Sequence, residues 1–221
     1  MKSHLAFLHT TPVLIDTFDR LVAEADTELP VRHIVEEGFL TEAREKGISQ
    51  DLDGRIQGRI GAAIEEGASV VLCTCSTIGA SAESANDSTD GIVVRVDRPM
   101  AEKAVDIGSR IIVAAALEST LAPTRNLILE VASTRKKRID LIEVLCVNAW
   151  SRLEEGDNEG YFSEIASKLK ERASEGDVIV LAQASMARAA KLCPEISIPI
   201  LSSPEIGFRP AVEIWKRSES D

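Results

Sequence analysis

Long apolar runs are missing from this chain: no segment approaches the roughly 18 to 20 consecutive apolar residues of a membrane span. The N-terminus has one lysine and then a short strand-like stretch, without the apolar core or small-residue cleavage site of a signal peptide. A soluble, cytoplasmic protein is expected. Cysteine is scarce as well. Cys73, Cys75, Cys146 and Cys193 are too few and too irregular for the disulfide framework of a small secreted domain. The three histidines, His4, His9 and His33, do not fall at metal-ligand spacing from any cysteine, and Cys73-Thr74-Cys75 is only C-x-C, so no metal is expected. Positive charge is in deficit, with 25 Lys and Arg against 36 Asp and Glu and a net charge of −11. The one short basic run, Arg135-Lys136-Lys137-Arg138, lies at an expected helix end, where cations complement the dipole. Nucleic acid is therefore not an expected partner. Phosphate-cradling glycine motifs are absent too: there is no G-x-x-x-x-G-K-[ST], and no G-x-G-x-x-G follows a strand. The glycines between positions 51 and 61 fall in a helical pattern with Arg55 and Arg59 on one face, which reads as solvated surface.

What is present is enough apolar material for a sizeable core, 44% of 221 residues, in one compact unit or two small lobes. Short apolar runs alternate with longer amphipathic ones, the pattern of a parallel sheet covered by helices on both faces. Strands are predicted at His4–His9, Val31–Val35, Val70–Thr74 and Ile92–Val96, with helices at Pro12–Ala25, Asp51–Glu66, near Ile78–Ala85, and from Pro99 to about Ile107. The order then begins again. Strands at Ile111–Ala115, Leu141–Val147, Val178–Ala182 and Ile198–Leu201 alternate with helices at Leu121–Ser133, Tyr161–Ala173, near Met186–Leu192, and about Arg209–Lys216. The repeat is visible in the residues: Glu66-Gly67-Ala68-Ser69-Val70-Val71-Leu72-Cys73-Thr74-Cys75-Ser76 aligns without gaps on Glu175-Gly176-Asp177-Val178-Ile179-Val180-Leu181-Ala182-Gln183-Ala184-Ser185. The predicted fold class is α/β with two pseudo-symmetric lobes, each a mostly parallel sheet flanked by helices. The predicted domains are residues 1–97 with 203–221, and residues 98–202.

Chemistry is expected where an apolar strand meets a helix, the usual ligand crevice of α/β proteins. Cys75 falls at or just past such a strand end, where backbone N–H groups and a helix dipole favour a thiolate, so it is the candidate acid, base or nucleophile. Ser76 and Thr77 follow it with hydroxyls suited to a carboxylate. Cys73 points to the same face but deeper, and Cys146 and Cys193 lie in or beside apolar segments; these three read as packing residues. Thr10 and Thr11 end the first strand, where they line the same crevice or, for Thr11, cap the helix that Pro12 opens. Glu118-Ser119-Thr120 carries the same ambiguity between helix cap and hydroxyl donors.

Taken in order, Thr10-Thr11 after strand one, Cys75-Ser76-Thr77 after strand three, Arg98-Pro99-Met100-Ala101-Glu102 after strand four, Ala114–Thr120 with Leu121-Ala122-Pro123-Thr124-Arg125, and Leu181–Met186 resemble the aspartate/glutamate/hydantoin racemase superfamily, which includes maleate isomerases and arylmalonate decarboxylases. The resemblance covers essentially the whole chain. It implies an active site in the cleft between the lobes, no cofactor, and a homodimer or higher homo-oligomer. It also implies one cysteine from each lobe facing the substrate's α-carbon. Cys75 matches the first of these. Where the second would stand, the chain has Leu181-Ala182-Gln183-Ala184-Ser185-Met186, and neither Gln183 nor Ala184 transfers a proton near neutral pH. Three readings follow: a cofactor-independent isomerase or lyase acting on a small carboxylic acid or amino-acid derivative with Cys75 alone, a non-catalytic small-carboxylate binder, or a true racemase with a non-cysteine second acid/base. Thr10, Thr11, Ser76, Thr77, Thr120, Gln183 and Ser185 are the expected substrate-binding set.

Overall fold

A computed structural model describes residues 3–25 and 28–218. In chain order the elements are β1 (His4–His9), α1 (Ile15–Glu24), β2 (Val31–Val35), α2 (Glu37–Lys46), α3 (Gln50–Glu65), β3 (Ala68–Cys73), α4 (Gly79–Ser84), β4 (Ile92–Arg95) and α5 (Arg98–Ile107). They continue with β5 (Arg110–Ala115), α6 (Glu118–Thr134), β6 (Asp140–Leu145), α7 (Ala149–Glu154), α8 (Asn158–Arg172), β7 (Val178–Leu181), β8 (Ile200–Ser202) and α9 (Ser203–Ser218). Contacts divide the chain into two units, Met1–Val96 with Pro204–Asp221, and Asp97–Ser203. Each unit holds one four-stranded sheet, ordered β2-β1-β3-β4 in the first and β6-β5-β7-β8 in the second. Every pairing is parallel. The strand order is therefore the same in both, and β3 and β7, the two copies of the sequence repeat, hold the same place.

The central strands are apolar at nearly every position because both of their faces are covered. Val70, Val71 and Leu72 of β3 and Val178 to Leu181 of β7 have no exposed surface. Outside them, α3 shows how a helix is written for this position: Ser49 accepts a hydrogen bond from the Leu52 N–H as N-cap, and Leu52, Ile56, Ile60 and Ala63 form its buried stripe. Its far face is ionic, with Arg55 on Asp51 and Glu42 and Arg59 on Glu36. In the second unit α8 lays Tyr161, Ile165, Ala166 and Leu169 on the sheet beside Cys146, Ala149 and Cys193.

Several elements differ from the sequence-based expectation. Helices α2 and α7 have no periodic signal long enough to predict them; each is short, and α2 carries Gly38 in its first turn. The first helix begins as a 3-10 turn, Pro12–Leu14, and the segment predicted as a helix near Met186–Leu192 is a 3-10 run, Ala184–Leu192. Helices α6 and α9 begin earlier than predicted, at Glu118 and Ser203, so that Pro123 and Pro210 lie inside them and not in their first turns. The Glu-Gly shared by the two repeats serves two different needs. Gly67 turns at φ +102°, which side-chain-bearing residues rarely adopt, whereas Gly176 is extended and crowded, with a Cβ there falling 2.7 Å from the Ile112 side chain. The basic run after α6 is tied to its own unit: Arg135 pairs with Asp106, and Lys137 Nζ donates to Asp106 and to the Val105 carbonyl.

Candidate functional site

The candidate residues fall at the carboxyl ends of the strands of each sheet, five in the first unit and three in the second. In the first unit β3 ends at Cys73 and α4 begins at Gly79, so Cys75, Ser76 and Thr77 stand on the connection between them. Cys75 is partly exposed, while Ser76 and Thr77 are nearly buried, at 6% and 7%. The helix that follows is only six residues long, and Cys75 precedes it on the loop rather than standing in its first turn, so the dipole contribution expected from the sequence is small. Thr10 is buried at the end of β1. Thr11 takes the capping role, its Oγ1 accepting from the Val13 N–H at 3.4 Å.

Two features of this strand edge escape a residue-by-residue reading. One is Arg95, 4% exposed at the end of β4 and in register with Cys73. Its guanidinium lies where α4 begins, 2.8 Å from the position a Cβ on Gly79 would take. An arginine closing an apolar strand was the available signal. The other is a chain of polar side chains beneath the same edge. Asp19 Oδ1 lies 3.0 Å from His33 Nε2, His33 Nδ1 lies 2.8 Å from His9 Nε2, and His9 Nδ1 lies 2.8 Å from Thr74 Oγ1. The two imidazoles stack with ring centres 5.1 Å apart, and Phe7 stacks on both. His9 has no exposed surface. Burial, reinforced by the neighbouring His33 and opposed by Asp19, lowers its pKa to about 4. The sequence could not join these residues, which lie on α1, on β2, on β1 and just past β3.

In the second unit Gln183 stands just past β7; the gapless repeat sets it on Thr74 and Ala184 on Cys75, and a one-residue shift sets Gln183 on Cys75. Its Oε1 accepts from the backbone N–H groups of Ala116 at 2.6 Å and Leu117 at 3.0 Å. The amide oxygen thus occupies the pair of donors that the β5–α6 connection presents, which leaves only its NH2 group for another partner. Ala184 is buried. Ser185 Oγ is within 2.8 Å of the Tyr161 hydroxyl, whose phenol burial pushes upward in pKa. Thr120 is buried in the first turn of α6, where Leu117 is the N-cap and no side chain caps the helix. Neither Ser119 nor Thr120 is therefore a cap. The Ser119 Oγ is buried and, among the described residues, meets no hydrogen-bond partner.

The remaining cysteines are packing residues in their surroundings. Cys146 is fully buried and its thiol is pushed up to about 11 by desolvation, then by Glu164. Cys193 is buried against the Ala166 and Ala189 carbonyls, and its thiol is likewise raised by burial. Among the described residues no group of three or more His, Cys, Asp or Glu side chains could hold a metal ion, and no helix is long and apolar enough to cross a membrane.

No protein-family model matches the chain, and no curated protein matches it by sequence. Solved structures do. The aspartate racemase of Picrophilus torridus superposes with a TM-score of 0.73 at 15% identity, covering 98% of this chain and 95% of that one. The glutamate racemase of Francisella tularensis, solved with D-glutamate, gives 0.71 at 12% identity over 99% of this chain and 82% of its own. A glycine-to-cysteine mutant of arylmalonate decarboxylase gives 0.62 at 13% identity, over 97% and 93%. At such identities the likeness speaks for architecture: the chain has the fold of the aspartate/glutamate/hydantoin racemase superfamily.

Proposed function

We propose that the protein is a cofactor-independent enzyme of the racemase superfamily that makes or quenches a carbanion next to the carboxylate of a small carboxylic acid, with Cys75 as its one thiol acid/base. The observation that carries this reading is the contrast between the two repeats. Cys75 is the only one of the four cysteines that is not buried, and it stands on the strand-end loop of the first unit. Beyond the corresponding strand of the second unit stand Gln183, with its oxygen already held by two backbone N–H groups, and the buried Ala184.

A single thiol can remove or deliver a proton on one face of a planar enediolate, so the chemistry is stereochemically one-sided: an isomerisation or a decarboxylation. Hydroxyls of Ser76 and Thr77 would hold the carboxylate and stabilise charge that develops on its oxygens, and Thr10 would extend the same edge. In the second unit Thr120, Ser185 and the free NH2 of Gln183 are the groups available to a ligand. The racemases and the decarboxylase that share the fold support the class of reaction, not the substrate.

The test is turnover in deuterated buffer on a panel of small carboxylates, comprising α-amino acids and 2-aryl malonates. Deuterium is expected at one carbon with one configuration, and Cys75→Ser is expected to lower the rate by about 10²-fold or more. Deuterium washing into both enantiomers at similar rates would show that a second acid/base acts on the opposite face. Binding of a carboxylate with no turnover would instead identify a binder.

A further inference from the structure

The Asp19–His33–His9–Thr74 chain has a proton arithmetic that its geometry fixes. The Thr74 hydroxyl has one proton and two acceptors within reach, His9 Nδ1 at 2.8 Å and the Leu8 carbonyl at 3.2 Å. With both imidazoles neutral, every contact along the chain from Thr74 to Asp19 is satisfied in one direction only, and the Leu8 carbonyl is then left to the Thr74 N–H. Thr74 donates to His9 Nδ1, His9 Nε2–H donates to His33 Nδ1, and His33 Nε2–H donates to the Asp19 carboxylate. The reverse order in the neutral state would set the His33 Nε2 lone pair against a carboxylate oxygen. Add one proton and the chain from Thr74 to His33 reverses without losing a bond. Thr74 now donates to Leu8, His9 Nδ1–H donates to Thr74, His33 Nδ1–H donates to His9 Nε2, and the charge rests on His33 beside Asp19. A second proton would put two N–H groups face to face across the 2.8 Å His9–His33 contact and break it.

We propose that these four residues form a one-proton relay serving Cys75: they position the strand end on which the thiol stands and couple its reactivity to a single proton held at His33. The proposal rests on the assignment of Cys75 as the reactive group. Thr74 is the residue before Cys75, so the inner end of the relay is part of the loop's own attachment to the sheet, where the Thr74 N–H also donates to Leu8. The outer end is accessible, because the Asp19 side chain is 56% exposed while His33 is 16% exposed. Among the described residues, the groups that bond or stack on the two rings are Asp19 from α1, Thr74 just past β3, and the uncharged rings of Phe7 and Phe18, with Phe208 of α9 behind them. Asp19 is the carboxylate that acts on His9, and it does so from the far side of His33. Asp19, His33 and His9 are positioning residues here, not catalytic ones. No bond other than N–H and O–H is made or broken, and no oxidant or reductant is needed.

Two measurements on the intact chain test this. Ring 15N shifts of the histidines, followed from about pH 8 to pH 5, report which nitrogen is protonated. In the neutral state both His9 and His33 are expected as the Nε2–H tautomer. As His33 becomes an imidazolium, His9 is expected to switch to Nδ1–H in the same step while staying neutral. A His9 tautomer that is unchanged through the titration of His33 overturns the relay. The second measurement is iodoacetamide alkylation read at Cys75 across the same pH range. The wild-type profile is expected to carry an inflection at the His33 midpoint, lost in Thr74→Val and moved to lower pH in Asp19→Asn. A Thr74→Val profile that keeps the inflection overturns the coupling to Cys75. The ring spectrum does not involve the thiol, so a failure of the relay and a failure of the Cys75 assignment give different results.

Discussion

His9 ends β1 without any contact with water, and that burial makes stability depend on pH. Its pKa falls from 6.5 in the unfolded chain to about 4 in the fold, so the unfolded state binds the extra proton first as the solution is acidified. The stability that the neutral ring confers is therefore full above pH 6.5 and lost as pH falls toward 4, a loss of about 3 kcal/mol in all. Thermal unfolding of the wild type and His9→Gln at several pH values checks this. The wild type is expected to lose more stability than the variant over that interval, and parallel curves would contradict the assignment. At the same scale, Cys75 shows what single residues disclose in a sequence. Its strand-end position and the hydroxyls after it were legible because they are consecutive. The roles of Arg95 and the histidine chain were not: an arginine closing an apolar strand marks a position, but its meaning, like that of the histidines, comes from partners on other strands and helices.

The elements were legible where a periodic apolar stripe ran long, as in α3, and where both faces of a strand were buried, as in β3 and β7. Boundaries failed where local chemistry and tertiary packing disagree. Proline normally ends a helix, yet α6 runs through Pro123 and α9 through Pro210, and the 3-10 run Ala184–Leu192 carries the same apolar residues an α-helix would. Two predictions belong at this scale. Gly207 on α9 lies against β4's exit, and a Cβ there would meet the Val96 carbonyl oxygen at 2.0 Å, an atom of the backbone that cannot swing aside. Gly207→Ala is expected to destabilise by about 3 kcal/mol or more in denaturant unfolding. Gln183→Ala removes the acceptor shared by the Ala116 and Leu117 N–H groups, both nearly buried, and should cost about 1–3 kcal/mol. A neutral result for Gln183→Ala would mean that these donors find water instead.

For the whole molecule, duplication is the organising fact. Both units wind their strands in the same order, and the gapless likeness between residues 66–76 and 175–185 already carries this symmetry in the amino-acid sequence. The two copies differ just past the strand end. The first has a thiol on its loop; the second has the strand and Ser185, with the Gln183 amide oxygen held by the Ala116 and Leu117 N–H groups and Ser185 held by Tyr161. A ligand that binds only the folded chain should raise its stability by about 2.7 kcal/mol at a hundred times its Kd, which gives a substrate screen by thermal shift that needs no assay of turnover.

The central claim is that Cys75 is the one reactive thiol of a carboxylate site. Its most direct test is the rate of iodoacetamide alkylation, read separately at Cys73, Cys75, Cys146 and Cys193, with and without each carboxylate of the panel. The account predicts that Cys75 reacts faster than in the denatured chain, that the other three are protected by the fold, and that at least one carboxylate slows the reaction at Cys75. Alkylation of Cys75 no faster than in the denatured chain, unchanged by every carboxylate, would contradict it.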